Sequence, residues 1–474
     1  MTVALAGSGG KTTAIFLIAR ELLDRKKNTG EDLPEANQTV IVTTTTHFGI
    51  SQISLADKHW ILDPNQVFKD SHLFQSGVQL ITGPIKDGKT NGLDAKQIIA
   101  LHQYCRDHNL FLLIEADGSR QRPVKAPASH EPAIPDISEL VIYITGLTGL
   151  DKPLNETVAH RPEIFSRLAG FRLEDRITME GLIKVLTHPD GGLKNIPLNS
   201  RRAIILNQVD TPGLDALAQS MVEPLLGVFS SVVIASLKPN IHELPNMKPD
   251  EANLLPQIHS VRERIAGIIL AAGESKRFGT PKQLLLWRGV PFTQAVVSTA
   301  LSAHLDPVIV VVGAQANLVM GTIDDLPVKM VVNEEWSHGQ SSSIRAGLLA
   351  LDEIPTTRTR PGPNLPWIDL VGGAVFLLAD QPQIPASVVA ALLELHSSGL
   401  APITAPLVVN ERRANPVLFD RDTFPDLKSL TGDGGGRKLF SKYPVTYLPW
   451  HDKNLLVDVD EPEDYEKLLS NDNL

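Results

Sequence analysis

The sequence predicts an α/β protein built of two doubly wound α/β domains in succession, and three observations carry that reading. First, a short apolar run, a glycine turn and an amphipathic helix occur in that order twice. One copy is Val3–Ala6 before Gly7-Ser8-Gly9-Gly10, the other Ile265–Leu270 before Ala271-Ala272-Gly273. Second, each copy is followed by further short apolar runs, the pattern of strands buried on both faces of a parallel sheet. Third, Lys238–Ile258 is rich in Pro, Asn and Glu, has no period and reads as a linker. The expected organisation is therefore a first domain over 1–237, a linker over 238–262 and a second domain over 263–474, within the two or three domains that 474 residues suggest.

Composition narrows the function classes. The 44 Lys and Arg against 54 Asp and Glu give a net charge of -10, which argues against nucleic acid or an anionic membrane as partner while leaving room for a local basic cleft. A 42% hydrophobic fraction supplies ordinary globular cores. The single cysteine, Cys105, excludes an internal disulfide framework and any Cys-rich metal cluster, and is expected as a buried thiol. Met1–Gly7 lacks the basic stretch of a secretory signal, and the apolar runs are far shorter than the ~20 residues of a membrane helix. The expected compartment is the cytoplasm.

Taken in order, the first half holds a strand at Val3–Ala6 and a helix through Ile15, Leu17, Ile18 and Leu22. Strands are expected at Gln38–Thr43, Leu110–Glu115, Glu139–Thr145 and Arg202–Leu206. In the second half, strands at Ile265–Leu270, Pro307–Val312, Pro327–Val332 and Ala374–Leu378 alternate with helices such as Phe292–Ala303. Ligands of open α/β sheets bind at the carboxyl ends of strands, so the polar residues there are the site candidates.

At the first turn, Gly9, Gly10, Lys11 and Thr12 follow a strand and open a helix. Backbone N–H groups at such a helix start and the Lys11 ammonium suit a triphosphate such as ATP or GTP, and the Thr12 hydroxyl suits Mg²⁺. This is a P-loop-like site, although Leu5 stands where the longer form of that loop has its first glycine. The alternative is a plain strand–helix turn. Glu115 and Asp117 follow the next buried strand, where a carboxylate can hold Mg²⁺; Asp117-Gly118 equally suits a simple turn. His47 is an isolated strand-end histidine. Arg120, Arg122 and Lys125 form a basic run that suits phosphate or a molybdate-like anion, or a solvated loop.

Gly9-Gly10-Lys11-Thr12-Thr13, Val42–His47, Glu115–Arg120, Lys125–Pro132, His160-Arg161-Pro162-Glu163, Gly191–Lys194 and Leu206–Asp210 together resemble the YqeC-like family, over roughly residues 1 to 235. The resemblance implies an NTP-handling accessory protein for maturation of selenium-dependent molybdenum hydroxylases, with such a hydroxylase as its client.

The second turn, Leu270-Ala271-Ala272-Gly273-Glu274-Ser275-Lys276-Arg277-Phe278-Gly279-Thr280-Pro281-Lys282, carries two cations, Arg277 and Lys282, beside small residues. Small residues let a nucleotide lie against the backbone, and cations there stabilise departing pyrophosphate. Asp380, in Leu378-Ala379-Asp380-Gln381-Pro382, ends a strand and is expected to hold Mg²⁺; Asp460, with Asp458 as rival, completes the set. Local alternatives are a helix-entry turn at Asp380 and a helix N-terminus at Glu461–Asp464. Ser341, Ser342 and Ser343, at a helix start, offer donors to base or phosphate, or serve as a cap.

With Asn333–Gly347, Asn415–Phe419 and Gly432–Arg437, these residues resemble the MobA-like nucleotidyltransferases, over about residues 265 to 470, and within them the molybdenum cofactor cytidylyltransferases. The resemblance implies a Rossmann-like nucleotidyltransferase fold, CTP and molybdopterin (or Mo-molybdopterin) as substrates and Mg²⁺ as cofactor. Leu-Ala-Ala-Gly at the turn is typical of its cytidylyl branch. Ala414 and Gly436 depart from the usual residues without removing a phosphate or metal group. A sugar-phosphate nucleotidyltransferase is the alternative enzyme, and a cofactor-carrying chaperone for a molybdenum hydroxylase the alternative without catalysis.

Overall fold

The computed structural model describes residues 1–28, 38–64, 76–237, 256–274, 278–353, 370–408 and 412–471. It divides into two compact units, the division falling after Ser260.

The first unit runs β1 (Thr2–Gly7), α1 (Lys11–Asn28), β2 (Thr39–Thr44), β3 (Lys58–Ile61), β4 (Gly77–Thr82), α2 (Ala95–Asp107), β5 (Phe111–Glu115), β6 (Leu140–Gly146), α3 (Pro162–Ala169), α4 (Met179–Thr187), β7 (Arg201–Asn207), α5 (Pro212–Leu226) and β8 (Ser231–Ser236). Its strands lie in the order β8-β7-β6-β1-β5-β2-β4-β3, each parallel to its neighbours. Alternate residues of β1 serve opposite faces. Val3 and Leu5 pack with Ala14, Ile15, Ala19 and Leu23 of α1, whereas Ala4 and Ala6 pack with Phe165, Leu182 and Met221 of the helices on the other side. Burial on both faces is why these runs are continuously apolar. From β1 the chain moves on to β2 on one side, and from β6 to β7 on the other. The carboxyl ends of β1 and β6 therefore border a topological switch point, where ligand crevices form. Cys105, on α2, is a buried thiol packed with Leu112 and Ile114.

The second unit contains β9 (Gln257–Ala271), α6 (Phe292–Ser302), β10 (Val308–Val312), β11 (Lys329–Val332), α7 (Gln340–Glu353), β12 (Val371–Leu378), α8 (Ala386–Gly399), β13 (Ile403–Val408), β14 (Val417–Asp420), β15 (Val445–Trp450) and α9 (Pro462–Asn471). The strand order is β15-β13-β14-β12-β9-β10-β11, parallel except that β14 runs against β12 and β13. Again the central strand feeds two cores. Ala266 and Ile268 meet Ile344, Leu348 and Leu351 of α7; Ile265, Ile269 and Ala271 meet Val296, Val297 and Ala300 of α6.

One expectation needs correction. The linker expected over 238–262 is already strand from Gln257, because β9 starts well before its apolar stretch, with exposed residues at Gln257–His259. The Pro- and Asn-rich stretch at 238–255 lies outside the described residues. No helix among the described residues is long and apolar enough to cross a membrane.

Candidate functional sites

In the first unit the glycine turn is held tightly by its neighbours. Gly7 N–H donates to Asp117 Oδ2 (3.2 Å), Ser8 N–H to Ile144 O (2.7 Å) and Gly9 N–H to Arg122 O (3.1 Å). Asn207 Nδ2 donates to Gly9 O (2.6 Å). Gly9 has φ +74°, and a Cβ there would stand 2.4 Å from Gly146 N, so only glycine fits. With those donors committed to protein carbonyls and a carboxylate, the N–H groups left for a ligand are those of the first turn of α1, which by helix geometry lack intrahelical partners.

Lys11 does not project as an isolated cation. Its Nζ donates to Gly7 O (2.6 Å) and stands 3.3 Å from Asp117 Oδ1. Asp117 also pairs with Lys125 (2.7 Å), Lys125 with Glu131 (2.7 Å), and Glu131 with Arg161 through two bonds of 2.6 and 2.7 Å. The result is an unbroken alternation of charges, Lys11–Asp117–Lys125–Glu131–Arg161. The Asp117 and Lys125 side chains are 1% and 0% exposed. Burying such ions is tolerable only because each is paired. Burial pushes the Glu131 carboxyl up, but the hydrogen bonds from Arg161 and Lys125 outweigh it and hold the group at about 2.

A cavity of about 1310 Å³ opens over this network, lined by Gly9–Thr13, Glu115, Arg120, Glu131, His160 and Arg161 among others. Of the two expected carboxylates, Glu115 lines it and Asp117 does not. Glu115 Oε2 accepts from Thr12 Oγ1 (3.0 Å), and Gln52 Nε2 donates to that same hydroxyl (3.1 Å). Burial raises the Glu115 carboxyl to about 7, against the opposing pull of Lys11 and Thr12. The Thr12–Glu115 pair is the oxygen set that fits a divalent cation beside a phosphate, whereas Asp117 is occupied by two ammonium groups. His47 lines the cavity too, and burial, Lys89 and Lys11 keep its pKa low. Of the basic run, Arg120 reaches the cavity while Lys125 is sealed beneath it.

In the second unit, Ala272, Gly273, Lys282, Ser343 and Asp380 line one cavity of about 400 Å³, together with Gln283, Trp336 and Asp433. Lys282 Nζ donates to Asp460 Oδ1 (2.8 Å), joining residues far apart in sequence. Burial raises Asp380 to about 6; Lys282 pulls it down, while Asp458 and Asp460 push it further up. Asp458 Oδ1 accepts from Gln381 Nε2. Asp458 and Asp460 are both exposed, and Ala271 is buried in β9. Ser341 and Ser342 are buried as well; Ser342 Oγ donates to Gly339 O (2.8 Å) and accepts from Asn333 Nδ2 (2.8 Å). Ser343 is buried too and accepts from the same Asn333 Nδ2 (3.1 Å), but of the three serines it is the one that lines the cavity. Arg277 lies outside the described residues. Among the described residues, no three His, Cys, Asp or Glu side chains cluster closely enough to hold a metal ion by themselves.

A profile of the YqeC protein family matches residues 3–163, and one of the MobA-like NTP transferase domain matches 267–447. The chain joins a YqeC domain to a MobA-like NTP transferase domain. It is 31% identical over 233 residues to the uncharacterized protein YqeC of Escherichia coli, covering 47% of this chain and 82% of that protein. Its other half is 30% identical over 215 residues to the nicotine blue oxidoreductase of Paenarthrobacter nicotinovorans, covering 43% of this chain and 96% of that protein. The solved structure of Rv0371c from Mycobacterium tuberculosis is 29% identical and covers 44% of this chain and 98% of its own, with a TM-score of 0.36.

Several residues of the YqeC and transferase sites have roles that sequence reasoning did not assign. In the YqeC domain these are the Glu131–Arg161 pair and Lys194, whose Nζ donates to Ala128 O (2.6 Å) and braces the loop before Glu131. The motifs carrying them pointed to the site without giving their partners. In the transferase domain, Gln283 Nε2 donates to Ala271 O (3.2 Å) and Gly273 O (2.8 Å) and fixes the turn. The only available signal was its place next to Lys282.

Proposed function

We propose that the transferase domain, residues 263–474, transfers CMP from CTP to molybdopterin, releasing pyrophosphate and forming the cytosine dinucleotide cofactor. The observation that carries this reading is one cavity lined by a glycine turn, the Lys282 ammonium and the Asp380 carboxylate. The relatives bear names from unlike chemistries. Beside the oxidoreductase stand the purine catabolism protein PucB of Bacillus subtilis, 29% identical and covered over 94% of its length, and a probable molybdenum cofactor guanylyltransferase of Bacillus cytotoxicus, 26% identical and covered over 57%. Kinship alone does not choose among them, whereas the charge in the cavity favours a triphosphate with a divalent cation.

The terminal phosphate oxygen of molybdopterin attacks the α-phosphorus of CTP, a P–O bond forms, and the bond to the departing pyrophosphate breaks. A phosphate nucleophile is already anionic, so no general base is required. Lys282, with Arg277 on the same turn, neutralises the charge that accumulates on the leaving oxygens. Asp380 has burial and two neighbouring carboxylates against its ionised form, which is the environment that favours a bound cation. Mg²⁺ held by Asp380 with Asp458 or Asp460 would supply further charge neutralisation at the triphosphate. The cytidylyl turn Leu270-Ala271-Ala272-Gly273 is the basis for CTP over GTP.

The YqeC domain, residues 1–237, binds ATP or GTP on the first turn of α1, with Thr12 and Glu115 holding Mg²⁺, and prepares the cofactor for a client molybdenum hydroxylase. The test is pyrophosphate release from each NTP, with and without molybdopterin. Release that requires both CTP and molybdopterin supports the reading. Release with GTP alone among the nucleotides assigns the guanylyl reaction, and no molybdopterin-dependent release removes the transferase assignment.

A further inference from the structure

The cavity of the YqeC domain is larger and more cationic than a single nucleotide explains. Small-ligand cavities run to roughly 300–1,000 Å³, and this one is about 1310 Å³. Its lining carries Lys11, Lys89, Arg120 and Arg161 against Glu115 and Glu131. In the ion chain beneath, three cations, Lys11, Lys125 and Arg161, share the two carboxylates Asp117 and Glu131. The lining therefore has a cationic surplus on a chain whose net charge is -10. An open cavity with that surplus concentrates anions.

The cations fall into two groups. Lys11 sits with the first turn of α1. Arg120, His160 and Arg161 form the other group: His160 belongs to a two-stranded ribbon that pairs Ala159–His160 with Val124–Lys125, Arg161 follows it, and Arg120 lies in the turn before Val124. The ion chain through Asp117, Lys125 and Glu131 runs beneath both groups, and its two ends, Lys11 and Arg161, each emerge into the cavity. Backbone strain accompanies the second group: Arg120 and Arg161 have φ +48° and +65°, in the left-handed region. Non-glycine residues persist there when surrounding structure holds them, and such strain clusters at functional sites.

We propose that the YqeC domain is a two-ligand chamber, with a second site formed by Arg120, His160 and Arg161 that takes a tetrahedral oxyanion, free or as a phosphate ester, while a nucleotide occupies the first turn of α1. Only the nucleotide half rests on the function proposed above. The rigid charge chain fixes the distance between the two ligands, as a reaction between two bound anionic substrates requires.

His160 provides a readout that a merely structural role would not move. Burial, Arg161 and Lys125 lower its pKa to about 4, with Arg120 adding to the effect and Glu131 opposing it. An oxyanion held there adds negative charge beside the ring and must raise that pKa. The experiment follows the His160 ring resonance in the full chain, assigned by its loss in His160→Gln, during titration with orthophosphate and separately with ribose 5-phosphate. These are repeated with ATP and Mg²⁺ present. Phosphate should move the resonance and raise its titration midpoint, and saturating ATP should leave that response in place. Arg120→Gln, an exposed position, should weaken the phosphate response about tenfold or more. Lys11→Ala should leave it intact. A stronger response to ribose 5-phosphate than to orthophosphate marks an ester as the ligand, and the reverse marks the free anion. If ATP fails to bind while phosphate still moves His160, the nucleotide reading fails and the oxyanion site stands. If phosphate leaves His160 unmoved, or ATP abolishes the response by competition, the second site does not exist.

Discussion

The two glycine turns share a grammar and differ in what surrounds their lysines. Lys11 leaves its turn only to fold back onto Gly7 O and Asp117, and it ends a buried chain of alternating charge. Lys282 reaches the Asp460 carboxylate from a cavity shared with Asp380, where carboxylates outnumber the described cations. A strand, a glycine turn and a helix thus specify a place for phosphate, while residues distant in sequence specify the charge. The YqeC cavity has Glu131 neutralised from within by Lys125 and Arg161, and its lining carries more cations than carboxylates. The transferase cavity keeps Asp380, whose ionised form is opposed by burial and by the nearby Asp458 and Asp460, a setting suited to a divalent cation.

The largest expected effect breaks the internal neutralisation. Asp117→Asn leaves Lys11 and the fully buried Lys125 facing a neutral amide and should destabilise the first unit by ~3–5 kcal/mol in a denaturant titration. A loss below ~1 kcal/mol would mean that the charge chain is not what holds this turn. Next comes Asp380→Asn, which should lower CTP-dependent transfer by ~10²-fold or more with little change in stability. Near-normal turnover at saturating Mg²⁺ would take Asp380 out of the metal site. Lys11→Ala should weaken nucleotide binding by about ten- to a hundredfold in calorimetry with ATP, GTP and CTP, while CTP-dependent transfer persists.

The smallest effect concerns pH. Glu131 titrates near 2 in the folded chain against an ordinary value of 4.5. Its stabilisation is therefore full above about 4.5 and is lost as pH falls through 2. Wild type minus Glu131→Gln stability should shrink by about 1–2 kcal/mol between pH 5 and pH 3. A constant difference over that range would show that Arg161 and Lys125 do not depress the carboxyl.

Much of the scaffold was legible from short apolar runs. Val308–Val312 and Phe111–Glu115 lie inside the strands expected from them, since a segment buried on both faces has to be apolar throughout. Ile403–Val408 was harder to see, because it contains Pro406 and pairs with one antiparallel and one parallel neighbour. Strand ends located the candidate residues, yet not their partners. Nothing in the local sequence says that Lys125 faces Asp117 and Glu131 while Arg120, close by in sequence, faces the cavity. Lys125 belongs to a short ribbon whose pairing with Ala159–His160 is set far away in sequence, whereas Arg120 stands in the turn before it. Likewise Ser341 to Ser343 read as equivalent donors, and the packing of α7 buries all three, ties Ser342 and Ser343 to Asn333 and brings Ser343 to the cavity.

The contrast between the two lysines is tested most directly by pyrophosphate release from CTP in the presence of molybdopterin, measured in parallel on Lys11→Ala and Asp380→Asn full-length protein. Lys11→Ala should keep most of the wild-type rate and Asp380→Asn should lose ~10²-fold or more. Equal losses in both variants, or a loss confined to Lys11→Ala, would contradict the assignment of transfer chemistry to the carboxylate-rich cavity.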